Sequence, residues 1–72
     1  MSPQSDNMVK DVIDANKLAT ETMKSAGYFF SFIQKTSKEG INWIVLASTL
    51  DAVFKIKINS ESGEVFEFGP AN

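Results

Sequence analysis

The chain has 72 residues, with nine acidic and seven basic side chains, all seven Lys, for a formal net charge of -2. It contains no His, Cys or Arg, which excludes disulfides, thiolate nucleophiles and Cys-based metal sites, and removes the commonest general base and the bidentate guanidinium fork. A sequence pI of about 4.9 and dispersed lysines argue against nucleic acid as a partner.

The N-terminal residues Met1 to Asn7 are polar and lack a basic stretch, so no signal peptide is expected. No apolar run approaches the ~20 residues of a membrane-spanning helix. The expectation is a soluble cytoplasmic protein with no membrane association. Residues 5–26 contain no aromatic, Gly or Pro, whereas the six Phe, the Trp and the Tyr all fall between Tyr28 and Phe68. That segregation predicts an α+β domain: one long N-terminal helix packed on a four-stranded antiparallel β-meander, αββββ. Within a single domain spanning 1–72, residues 1–5 read as a flexible N-terminus, 6–26 as the helix, 28–68 as the sheet and 69–72 as a tail.

In the helix, Met8, Val12, Ala15, Ala19, Met23 and Ala26 recur every three or four residues and form one apolar stripe. Lys10, Asp14, Lys17, Glu21 and Lys24 occupy the opposite face. Ser5 or Asp6 is the expected N-cap and Gly27 the C′ residue. The first strand is predicted from Tyr28 to about Thr36, followed by a turn over Ser37-Lys38-Glu39-Gly40. The second runs from Ile41 to about Ser48, and the third from Ala52 to Asn59 after a break at Thr49-Leu50-Asp51. The third alternates cleanly, with Phe54, Ile56 and Ile58 on one side and Val53, Lys55, Lys57 and Asn59 on the other. Asn59 to Gly63 reads as a turn with Gly63 at positive φ. The fourth strand covers Glu64 to Phe68 and stops at Gly69-Pro70. The helix stripe with Phe54, Ile56, Ile58, Phe66 and Phe68 is the expected core.

Strands one and two are apolar on both sides, and one helix covers only one face of a sheet. The remaining face is therefore expected to expose an apolar patch, a mark of an interface on a small protein. Trp43 and Val45, with the Phe29 and Ile33 side of strand one, are the residues assigned to it. A domain near this size buries only about 60% of its unfolded surface, so a partner that completes the core fits the same reading.

Catalytic and metal constellations are weak. Ser25, Ser31 and Ser48 have no His to activate them. Glu64 and Glu67 point to opposite faces of a strand, and Asp11 and Asp14 lie on the solvated helix face. Asn59 to Glu64 lacks the Asp-rich start and distal Glu of a calcium loop. The four glycines mark element boundaries and form no phosphate cradle. Trp43 with Phe29 or Phe30 could stack bases, but only Lys35, Lys55 and Lys57 accompany them on the sheet. The expected function is a small non-enzymatic protein-interaction module, without cofactor or metal, that forms a homodimer or binds another protein through an apolar sheet face or edge strand. The alternative is a binder of a small apolar ligand on the open sheet face.

Gly40-Ile41-Asn42-Trp43-Ile44-Val45 resembles the G-x-x-W-x-V strand opening of PepSY-like domains and of the gas-vesicle accessory protein O family. The stretch from Phe54 to Val65 is similar to their Y-x-V-x-V-D-x-x-T-G-E-V hairpin, with Asn59 where the pattern has Asp. The resemblance covers about half of the chain. It implies an αβ-meander module that binds proteins, in settings of peptidase regulation or gas-vesicle assembly, and it transfers no catalytic residue.

Overall fold

The computed structural model describes residues 9–71. They form helix α1 (Val12–Ser25) followed by strands β1 (Phe32–Glu39), β2 (Asn42–Ser48), β3 (Val53–Asn59) and β4 (Val65–Pro70). The strands pair antiparallel in sequence order, β1-β2-β3-β4. This is the predicted αββββ meander.

The helix starts at Val12, later than the predicted residue 6. Asp11 caps it: its carboxylate accepts from the Asp14 N–H at 3.0 Å, and Asp14 accepts from the Lys10 N–H at 3.4 Å. Asp11 thus satisfies one free amide of the first turn, and Asp14 holds the amide that precedes the cap. The predicted caps Ser5 and Asp6 lie outside the described residues, as do the flexible stretch assigned to 1–5 and Met8 of the helix stripe. Val9 precedes the helix as extended chain, its N–H donating to the Ser60 carbonyl at 2.9 Å. At the other end Gly27 (φ 97°) occupies C′. The Gly27 N–H reaches the Lys24 carbonyl at 2.9 Å and the Tyr28 N–H reaches that of Met23 at 2.8 Å, the paired bonds of a Schellman motif.

The helix lies over β1 and β2 and buries Ala15, Ala19 and Met23 completely. Val12 and Ala26, also assigned to the stripe, are exposed at its ends. The small Ala side chains let the helix approach Val45, Ala47, Ile56 and Ile58, all fully buried. Across the interface the Thr36 hydroxyl donates to Asn16 Oδ1.

The core face follows from register, because directly paired residues share a face. Ile33, Ala47, Phe54 and Pro70 form one row, Thr36, Val45, Ile56 and Phe68 the next, and Lys38, Trp43, Ile58 and Val65 the third. Trp43 and Val45, expected on the uncovered face, are therefore core residues. Trp43 is 7% exposed, and its Nε1–H donates to the Val9 carbonyl at 2.9 Å.

Strand boundaries also shift. β1 begins at Phe32 and continues through Ser37, Lys38 and Glu39, which were assigned to a turn. The turn is Gly40-Ile41 alone, with positive φ at Gly40 (61°) and not at Ile41, the type II′ pattern whose twist matches the flanking strands. β4 extends through Gly69 and Pro70, which pair with Lys55 and Phe54; an edge strand tolerates Pro where its missing N–H faces outward. Phe66, expected in the core, is 50% exposed. A β-bulge pairs Glu67 with Lys57 and Val65 with Ile58, leaving Phe66 as the extra residue without a place in the ladder.

Candidate functional site

Four of the five most exposed large apolar side chains gather at one end of the sheet, the fifth being Ile13 in α1. The Schellman turn redirects the chain and sets Tyr28 against Phe54, ring centroids 4.8 Å apart. Phe54 in turn stacks on Phe68 at 5.6 Å. Tyr28 anchors one side of the α1–β1 link, and Ile33, packed on the core, anchors the other. The residues between them bridge from helix to sheet with no ladder partner until Phe32 meets Ser48. Phe29, Phe30 and Phe32 are left in solvent, 69%, 87% and 68% exposed.

The β2–β3 turn reaches the same end. The Thr49 N–H donates to the Ala52 carbonyl at 2.8 Å, and the Thr49 hydroxyl accepts from the Asp51 and Ala52 N–H groups. This tight turn leaves Leu50 at its corner, 95% exposed. Phe29, Phe30, Ser31, Phe32 and Leu50 together line an open concavity of about 310 Å³. Residues 25–34 carry no charged side chain, and Asp51, exposed beside Leu50 in the turn, puts one negative charge at the margin of this apolar end.

The open face of the sheet has a different character. By register it carries Lys35, Leu46 and Lys55 in one row, Ser37, Ile44, Lys57 and Glu67 in the next, and Glu39, Asn42 and Asn59 in the last. Ile44 and Leu46 are half-buried. Lys57 and Glu67 pair at 3.6 Å. The broad apolar patch expected on this face is thus reduced to Ile44, Leu46 and Val53 among lysines, with Phe32 exposed at one end of it, in the row of Ser48 and Val53.

Of the four residues assigned to the interface, Phe29 alone is exposed. Trp43 and Val45 lie under the helix, and Ile33 is partly buried against the core. Phe30, Phe32 and Leu50 were not assigned to it. The sequence does carry their signal: an uncharged aromatic run directly after a helix C-cap, and a Leu in a turn that needs no apolar residue.

Among the described residues, no three acidic side chains gather as metal ligands, and no buried side-chain N or O atom lacks a hydrogen-bond partner. The side-chain hydrogen bonds are caps, turn closures and the two helix–sheet and strap contacts through Thr36 and Trp43. The Thr22 hydroxyl donates within the helix to the Leu18 carbonyl at 2.8 Å. No helix among these residues is long and apolar enough to cross a membrane. No family model, curated protein or solved structure matches the chain.

Proposed function

We propose that this chain is a small, non-enzymatic, cytoplasmic interaction module that self-associates. The observation that carries the reading is the contiguous exposure of Phe29, Phe30, Phe32 and Leu50. Scattered exposed apolar residues are ordinary on protein surfaces, but a clustered apolar end of this kind marks contact with another molecule.

The second reading, a binder of a small apolar ligand, is favoured by the concavity between Phe29 and Leu50 and moves from the open sheet face to this end. Its walls are open, and Ser31 is the lone polar residue among those lining it, whereas ligand pockets enclose their occupant and orient it with several polar groups. Sedimentation velocity over a dilution series separates the two. A concentration-dependent shift from monomer to dimer is expected. A chain that sediments as a monomer throughout, up to hundreds of micromolar, overturns self-association.

A further inference from the structure

We infer that a second copy of this chain docks on the Phe29, Phe30, Phe32 and Leu50 end, so that two copies meet end to end about a two-fold axis. The inference rests on the self-association proposed above and adds which surface is used. Three competing surfaces carry features that oppose pairing with themselves.

The open sheet face carries Lys35, Lys55 and Lys57 against Glu39 and Glu67, and one of the lysines is already paired with Glu67. Two such faces brought together oppose like charges and strip water from them. The sheet edges are blunted. β1 has a bulge between Ile33 and Lys35 and exposes Lys35, Lys38 and Glu39. β4 has a bulge at Phe66, the charge of Glu67, and Pro70, which has no N–H to offer. Bulges, charges and Pro are the devices that keep edges from pairing. The exposed side of α1 carries Lys17, Glu21 and Lys24 along most of its length, with the exposed Val12 and Ile13 confined to its first turn.

The apolar end carries one acid, Asp51, at its margin beside Leu50. An apolar, uncharged patch is complementary to its own copy, as an isologous contact requires. Its area is also adequate. Three Phe side chains and a Leu at the observed exposures present roughly 600 Å², given 150–250 Å² for a buried aromatic. Two copies would bury about 1,200 Å², past the ~1,000 Å² that a specific interface needs.

The test uses the full 72-residue chain in sedimentation equilibrium. Phe30→Asp and Leu50→Asp each enter the contact twice and are expected to weaken dimerisation at least about tenfold. Lys55→Glu on the open face and Phe66→Lys on the β4 edge are expected to leave it unchanged. All four side chains are at least partly solvent-exposed, and the fluorescence of buried Trp43 reports whether each variant is folded. A second readout uses spin labels on single-cysteine variants, since the chain has no Cys of its own. Labels at Asp51→Cys, beside the apolar end, are expected to lie close to each other in the dimer. Labels at Glu61→Cys, at the opposite end of β3, are expected to lie far apart. A dimer that survives both Asp substitutions, or one with the label distances reversed, overturns end-on docking and leaves self-association standing. A wild-type chain that stays monomeric overturns self-association itself.

Discussion

Trp43 joins three parts of the molecule through one side chain. Its ring sits in the row with Ile58 and Val65, its N–H holds the carbonyl of Val9, and Lys38 Nζ lies 5.2 Å from its ring centroid. The cation contact is exposed and contributes about 0.5 kcal/mol. The hydrogen bond matters more, because Val9 and Trp43 are both buried and a buried acceptor that loses its donor is costly. Trp43→Phe keeps an aromatic face for Lys38 but removes the donor and some volume. It is expected to cost about 1–3 kcal/mol. Urea unfolding should show a lower midpoint at unchanged slope, the sign of lost stability without a change in compactness. Phe30→Ala, at the exposed end, is expected to shift stability by less than about 0.5 kcal/mol. Equal losses for the two variants would contradict the division between a buried Trp43 and an exposed aromatic end.

At the scale of elements, the turns carry the specificity of the meander. Asn59 ends β3, and its Oδ1 accepts from the N–H groups of Glu61 at 2.8 Å and Ser62 at 3.0 Å. Its backbone N–H donates to the Glu64 carbonyl and its carbonyl accepts from Gly63, whose φ is 74°. This is an Asx-type turn in which the side chain substitutes for backbone partners. Asn59→Ala is therefore expected to lower stability by about 1–2 kcal/mol. Asn59→Asp keeps the acceptor while adding a charge near Glu61 and Glu64, so its loss should be the smaller one. Thermal unfolding of the two variants checks the order, and a larger loss for Asp would show that charge outweighs the turn bonds.

Turn chemistry of this kind was legible in the residues: Gly27 as helix terminator and Gly63 at positive φ are where the sequence places them. Strand three was legible too, because its two faces differ in polarity. The bounds of strand two were legible as well, but which side of strands one and two meets the helix was not, for a physical reason. Both sides of β2 are apolar, so alternation cannot say which faces the helix. The information lies in the neighbouring turn instead. Closure at Thr49 to Ala52 sets Ser48 opposite Val53, which places Val45 beside Ile56 and Trp43 beside Ile58 on the core face. In β1 the bulge at Gln34 resets parity midway, and no pattern in the sequence marks it. The helix start was misplaced because the apolar stripe continues upstream of the Asp11 cap, and periodicity alone does not see a cap. The candidate surface suffered from the same parity error, since Trp43 and Val45 were read outward, while Leu50 was hidden in a turn.

For the molecule as a whole, charge separates the surfaces. The apolar end is neutral over residues 25–34, the open face carries the lysine rows, and the β1–β2 and β3–β4 turns bring Glu39, Glu61 and Glu64 to the far end. An association through the apolar end draws on apolar burial, which salt screening does not touch and which weakens on cooling. The dimer dissociation constant is therefore expected to change less than about twofold between low and moderate sodium chloride, at ionic strengths where exposed charges a Debye length apart become screened. It is also expected to rise on cooling from room temperature toward freezing, with a negative heat-capacity change on association. Contact through the open sheet faces has the opposite signature. There, salt screens Lys35, Lys55 and Lys57 from their counterparts, and dimerisation strengthens as salt is added. Isothermal dilution calorimetry across salt and temperature distinguishes the two, because it reads the heat-capacity change and the salt dependence from the same dissociation event.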